Sequence, residues 1–338
     1  MIDFQNIVET FEITKAFDEN VAVDHVTFNI KEGEIFGLLG PNGAGKTTMI
    51  KMLCTLLSPS DGTAKVGGHD VIKEPLKVKE IIGYVPQDIT VDGFLTGREN
   101  LELQAALYNI KGEERERRID EVLKLVQLKE RADGIVNYFS GGMRRRLEIA
   151  RGLMVEPQLL FLDEPTLGLD PASRKAVWNH VEKLRRKRKL AILMSTHYME
   201  EADKLCDRIA IIDRGRFIAL NTPTNLKKQI GGTIIEIEIS KSINRMIKLL
   251  TQNNDYIDKV NKINETTLQI EVQDSDTALP KIFKVASGAD IDINQVRIRQ
   301  PTLEDVFLYY TGKTLRDEDL NDPFSFVRSQ ISKRLRSF

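Results

Sequence analysis

The chain has few of the features that mark exported, fibrous or membrane-embedded proteins. Cysteine occurs only twice in 338 residues, at Cys54 and Cys206, each inside an apolar, helix-like segment. That usage excludes a disulfide framework and a thiolate metal site, and it suits two buried thiols in a reducing compartment. Long hydrophobic runs are missing: stretches such as IFGLL and AILM fall far short of the ~18 residues a membrane helix requires. Met1 is followed by no basic and then apolar leader pattern, so the chain is expected to be cytoplasmic, neither exported nor membrane-spanning. Net charge is almost absent, since 49 Lys and Arg against 50 Asp and Glu leave −1. No nucleic-acid partner is expected on that balance. The sequence shows neither an internal repeat nor a low-complexity tract, and His25, His69 and His180 stand at no ligand spacing, which suits surface or structural roles.

What the sequence does contain is an ordinary globular mixture, 41% hydrophobic and 29% charged, long enough for about two domains. Over residues 1–220, strand-like apolar runs alternate with amphipathic stretches, which predicts an α/β domain with a mixed sheet and helices around it. Residues from about 98 to 151 break the alternation. There, ENLELQAALYNI and EERERRIDEVLKLVQL carry apolar residues at helical spacing with heavy charge between them, and a helical subdomain is expected. Residues 221–232, with Pro223, Gly231 and Gly232, read as a linker. A second, α+β domain is expected over 233–312, starting at the alternating strand TIIEIEIS. Its order is strand, helix near Ile243 to Leu250, strand near Tyr256 to Ile263, strand LQIEV, helix near Leu279 to Val285 and strand DINQVRIR, the order of a ferredoxin-like β-α-β-β-α-β unit. Residues 313–338 form a basic tail in which Val327, Ile331 and Leu335 recur at four-residue spacing among Arg328, Lys333, Arg334 and Arg336. Such a tail is either a segment that lies on lipid or a partner, or a frayed end.

Three motifs carry chemistry. GPNGAGKTT, Gly40 to Thr48, meets the P-loop pattern through Gly40, Gly45, Lys46 and Thr47 and follows a buried-strand signature, GEIFGLLG. In such a loop the small residues of the run Gly40, Pro41, Asn42, Gly43, Ala44 and Gly45 let backbone N–H groups, which Pro41 itself lacks, turn inward around a phosphate. The helix beginning near Lys46, Thr47 and Thr48 aims its positive end at the anion, Lys46 adds a full charge, and Thr47 is a ligand for Mg²⁺. LLFLDEP ends an apolar strand with Asp163, placed to hold the Mg²⁺ shell, and Glu164, placed to take a proton from attacking water. YFSGGMRRRLEIARGL sets Ser140, Gly141 and Gly142 before a helix, a second phosphate-binding geometry.

In this order the motifs resemble the ATP-binding subunit of ATP-binding cassette (ABC) transporters, from Ile2 to about Leu220. The resemblance implies a P-loop NTPase fold, ATP and Mg²⁺ as ligands, and ATP hydrolysis. It makes Gly40 to Thr48 the Walker A motif, Gln87 the Q-loop residue that reads the γ-phosphate and the metal, and Ser140 to Met143 the signature. Asp163 is then the Walker B aspartate, Gly168 to Asp170 the D-loop, and His197 in STHYMEEAD the switch histidine, which stabilises phosphate charge with Lys46. Phe17 is either the aromatic that stacks on adenine or a core residue. Met143 stands where the family more often has glutamine. SGGMRRRLEIARGL, LTGRENL and the C-terminal PTLEDVFLYYTGKTLRD resemble the antibiotic and multidrug exporters of the daunorubicin-resistance type.

The resemblance also implies an ATP-induced head-to-tail homodimer, each site completed by the partner's signature. A separate transmembrane permease is implied too, contacted near Gln87 and Leu101 to Tyr108, with the chain peripheral on the inner face of the membrane. A regulatory GTPase would need an N-K-x-D strand end, and the similar tetrapeptide Asn261 to Asn264 lacks the aspartate. A ribosome- or DNA-directed ABC ATPase commonly has two cassettes or a long coiled-coil insertion, and this sequence shows neither.

Overall fold

A computed structural model of the chain describes residues 6–188, 190–230, 232–240, 242–252 and 255–311. The basic tail 313–338, with its Val327, Ile331 and Leu335 spacing, lies outside the described residues. The described chain divides into two compact units, one ending at Thr222 and the next beginning at Pro223.

The first unit is built on two sheets, where the sequence pattern suggests one mixed sheet. In the larger sheet, Ile35–Leu39 lies between Arg208–Asp213 and Ala191–Thr196, followed outward by Leu159–Asp163 and Ile82–Val85, all parallel. Arg216–Asn221 closes the opposite edge antiparallel. Parallel strands covered on both faces read as continuous apolar runs, and Ile35–Leu39 and Leu159–Asp163 are buried at every position. The second sheet is antiparallel: Asn6–Phe17 pairs with Asn20–Val26, Asn29–Lys31 and Asp61–Val66, and the last of these with His69–Asp70. Its strands mix buried and exposed positions, as a sheet with one covered face does, so they cannot extend the parallel core. One apolar core joins the two sheets through the helix Lys46–Leu53, whose Met49, Ile50, Met52 and Leu53 are buried.

Between the strands Ile82–Val85 and Leu159–Asp163, three helices pack on one another: Gly97–Leu107, Gly112–Leu125 and Gly141–Leu153. The first opens on a full capping box between Thr96 and Glu99, and the third on Ser140, whose hydroxyl accepts the Met143 N–H at 3.2 Å.

In the second unit the four strands Thr233–Ile239, Lys259–Lys262, Thr267–Val272 and Ile293–Arg299 form an antiparallel sheet in the spatial order second, third, first, fourth. The helices Ile243–Thr251 and Ser275–Gly288 cover the face that carries Ile235, Ile237, Ile239, Leu268, Ile270 and Val272. This is the ferredoxin-like topology. The segment 221–232, expected as a linker, instead holds the helix Pro223–Gln229. Pro223 sits at its first position, where a missing N–H is harmless, and Leu226 is fully buried. The helix Leu303–Thr311 packs against it, and the Tyr310 hydroxyl donates to Gln229 Oε1 at 3.0 Å.

Candidate active site

Three adjacent parallel strands, Ile35–Leu39, Ala191–Thr196 and Leu159–Asp163, end on the same side of the sheet. Their carboxyl ends deliver the P-loop, His197 and the Asp163–Glu164 pair to one place, the position where open α/β sheets bind ligands. The loop 40–45 then enters the helix Lys46–Leu53. Close approach dictates its glycines: a Cβ on Gly40 would lie 2.2 Å from the Ile212 carbonyl oxygen, and one on Gly45, at φ 105°, 2.3 Å from that of Ala22. Asn42 and Gly43 are exposed, Pro41 and Ala44 buried, Thr47 and Thr48 half-buried. The Lys46 ammonium, 5% exposed, donates to the carbonyls of Gly40 at 2.7 Å and Pro41 at 2.8 Å and lies 3.2 Å from Glu164 Oε1.

Asp163 is fully buried. Its Oδ1 accepts from the Thr47 hydroxyl at 3.1 Å and the Ser195 hydroxyl at 2.6 Å, whereas Oδ2 is buried with no hydrogen-bond partner. Burial pushes the Asp163 carboxyl above its ordinary value, and the hydrogen bonds from Ser195 and Thr47 offset this only in part. Glu164 follows in a left-handed conformation, φ 46°, with its N–H held by Ser195 Oγ at 2.9 Å. Its Oε2 meets His197 Nδ1 at 2.7 Å. Burial favours the neutral acid, yet the His197 hydrogen bond and the Lys46 charge outweigh it and hold the carboxyl below its ordinary value. A buried, ionised carboxylate poised between a histidine and a lysine can accept a proton from a bound water.

Lys46, Thr47, Asp163, Glu164 and His197 are thus joined by direct contacts. Gln87 follows the edge strand Ile82–Val85 with its side chain exposed and makes no hydrogen bond to Asp163, Glu164 or His197. Ser140 and Gly141 are exposed at the start of their helix, while Gly142 is buried so closely that a Cβ would lie 2.9 Å from Ser173 Oγ. Phe17 is 46% exposed with the Lys15 ammonium 5.1 Å from its ring centroid, so it is no core residue. The loop after Glu164 turns at Gly168, φ 73°, and Asp170 caps the helix Pro171–Arg188 through the N–H groups of Ala172 and Ser173. The signature methionine leaves the cap of its helix intact, since the bond to Ser140 uses the Met143 backbone.

Two residues of the site lie inside the quoted motifs but were given no role there. Ser195 braces both Asp163 and Glu164, and the clue was its place two residues before His197 on an apolar strand, directly opposite Asp163. Arg145 is buried among carbonyls of the site, although it stands second in a run of three arginines.

Similarity to known proteins agrees with this geometry. A family profile described as "ABC transporter" matches residues 23–167, and one described as "ATP-binding protein DrrA1-3-like, C-terminal domain" matches residues 222–311. The chain is 38% identical over 92% of its length to the linearmycin resistance ATP-binding protein LnrL of Bacillus subtilis, spanning 100% of that protein. It is 40% identical over 88% of its length to the daunorubicin resistance ATP-binding protein DrrA2 of Streptomyces coeruleorubidus, spanning 92% of it. Among solved structures, the dimeric post-hydrolysis state of the ATP-binding cassette MJ0796 bound to ADP and Pi is similar at a TM-score of 0.57 and 29% identity, over 64% of this chain and 98% of that one.

Proposed function

The chain belongs to the ABC transporter ATP-binding family, in the branch of drug- and antibiotic-resistance ATP-binding proteins, and from that membership we propose that it hydrolyses ATP to drive a separate membrane permease that exports drugs, antibiotics or related amphipathic compounds. The observation that carries the catalytic part is the contact of Glu164 with His197 at 2.7 Å and Lys46 at 3.2 Å. Glu164 takes the proton of the attacking water, and His197 holds that carboxylate in place and adds positive charge near the γ-phosphate. Lys46 and backbone N–H groups of the segment 42–48 cradle the phosphates, with Phe17 on the adenine.

Mg²⁺ fits the partnerless, buried Asp163 Oδ2 beside the Thr47 hydroxyl. Among the described residues no cluster of three His, Cys, Asp or Glu could hold a metal unaided, so phosphate oxygens would complete its shell. Thr47 and Asp163 would hold the ion with Gln87, and it would neutralise charge on the transferred phosphoryl group.

Ser140 and Gly141 are exposed at the start of their helix, which supports completion of each site by a second copy in head-to-tail array. The similar MJ0796 cassette is itself dimeric. Membership in the family of resistance-transporter ATP-binding proteins supports a separate permease and a peripheral position on the cytoplasmic face, and no described helix is long and apolar enough to cross a membrane. Exposed Phe94, Leu103, Leu107 and Tyr108 offer the apolar contact surface.

The test is Glu164→Gln: ATP binding should persist, turnover should fall by about 10²–10⁴, and an ATP-dependent dimer should accumulate. Turnover at the wild-type rate in a dimer-competent preparation would refute the reading.

A further inference from the structure

The signature helix Gly141–Leu153 carries two buried charged side chains one turn apart, Arg145 at 3% and Glu148 at 2% exposure. The Arg145 guanidinium donates to three backbone carbonyls at once: Nε to Pro165 at 2.7 Å, Nη1 to Pro86 at 2.6 Å and Nη2 to Asp163 at 2.9 Å. Two of these carbonyls flank Glu164 on either side, and the third belongs to the residue before Gln87. Arg145 has no carboxylate ion-pair partner among the described residues. Glu148 accepts the N–H of Thr90 and also its hydroxyl, the latter at 3.0 Å, so the same helix holds the chain again three residues after Gln87.

An apolar side chain would fill this space without desolvating a cation, so what the arginine contributes is geometry. Its planar fork fixes three carbonyls in one arrangement, which a lysine ammonium cannot do. Glu164 needs such support, because its left-handed backbone, φ 46°, is one that a non-glycine residue keeps only when its surroundings over-determine it.

We propose that Arg145 is a positioning residue of the hydrolytic centre: it locks the Glu164 backbone and the Gln87 segment to the signature helix, so that closure of a second copy on the signature moves base and sensor together. The inference rests on the roles given above to Glu164 and Gln87. Neither hydrogen-bonds to the other, and Arg145 is the physical link between them, with Thr90 and Glu148 securing the far end of the Gln87 segment.

The experiment compares full-length wild type, Arg145→Lys, Gln87→Ala, the double variant and Thr90→Val for ATPase kcat, KM for ATP, binding of a non-hydrolysable ATP analogue and melting temperature. Arg145→Lys should leave KM and analogue binding within about twofold while kcat falls roughly tenfold to a hundredfold, the usual consequence of a small misplacement of reacting groups. In the Gln87→Ala background the same substitution should lower kcat by clearly less, because both act through one element. Thr90→Val should lower kcat in the same direction by a smaller factor. Fully additive losses, a kcat loss that only tracks a falling melting temperature, or an unchanged kcat would overturn the proposal. If Arg145→Lys does not fold, Thr90→Val decides, and wild-type kcat in it would count against the link. Wild-type kcat in Gln87→Ala alone would remove the role of Gln87, and the Glu164 half would then stand or fall on whether Arg145→Lys still separates kcat from KM.

Discussion

The Thr47 hydroxyl donates to Asp163 Oδ1 at 3.1 Å across 116 residues of chain, tying the first turn of the P-loop helix to the end of the apolar strand Leu159–Asp163. The other oxygen of that carboxylate has no partner. If the pair holds Mg²⁺, Thr47→Val should raise the Mg²⁺ concentration for half-maximal ATPase by about tenfold or more, the usual penalty for losing a ligand or its support. Thr47→Ser, which keeps the hydroxyl, should stay near wild type. Mg²⁺ titrations of ATPase rate check this, and equal Mg²⁺ demand in Val and Ser variants would exclude Thr47 from the metal shell.

Gly45 and Gly43 both have positive φ, 105° and 82°, but their surroundings differ. A Cβ on Gly45 would strike the Ala22 carbonyl oxygen at 2.3 Å, whereas one on Gly43 meets nothing within 4 Å. Gly43→Ala should therefore cost only left-handed strain, about 1–2 kcal/mol, and it should still bind ATP, though more weakly. Gly45→Ala must push the loop away from the strand Asn20–Val26 and should abolish binding. Titration with a fluorescent ATP analogue, alongside melting temperatures, separates the two, and similar affinities would contradict the clash.

The contrast between what the sequence discloses and what it hides follows from distance along the chain. The P-loop, the Asp163–Glu164 strand end and the ferredoxin-like order were legible because each is a local pattern: glycine spacing, an unbroken apolar run, and alternation switching to helical spacing. The second sheet of the first unit was not, since Asn6–Phe17 finds its partners through pairings that local periodicity does not register. Pro223 read as a breaker, but at the first position of a helix it is a starter, and only the burial of Leu226 reveals that. Arg145 was hidden by its arginine neighbours, although it shares a helical stripe with Gly142, Ile149 and Gly152, all of them largely buried.

Phe17 stands exposed at the end of its strand, with the Lys15 ammonium over its ring and outside the buried core. Phe17→Ala should therefore leave the melting temperature unchanged. If the ring stacks on adenine, the same change should weaken ATP binding by about 1–2 kcal/mol, roughly tenfold, and Phe17→Tyr should restore it. Affinity for a nucleotide analogue reports this directly, and wild-type affinity in the alanine variant would remove Phe17 from the base site.

In the second unit, buried Asp305 accepts from the Arg299 guanidinium at 2.8 Å and from both the N–H and the hydroxyl of Thr302 at 2.7 Å, while Arg299 also reaches Glu236 at 2.9 Å. Burial alone would raise the Asp305 carboxyl, but the hydrogen bonds from Arg299 and Thr302 outweigh it and hold it below its ordinary value. A carboxyl depressed in the folded state stabilises fully above its unfolded value of about 3.9, and that stability is lost as pH falls through the lower folded value. Asp305→Asn should cost about 3 kcal/mol at neutral pH, because it breaks a buried pair and leaves a partly buried cation under-satisfied. Hydrogen exchange along Ile293–Arg299 and Leu303–Thr311 in the full chain, compared at pH 7 and pH 3, should show a wide gap between wild type and variant that narrows in acid. ATPase activity at neutral pH should be unaffected, since no hydrolytic role falls on this unit. A gap of equal size at both pH values would mean that the ionised carboxylate does not hold this strand and helix together.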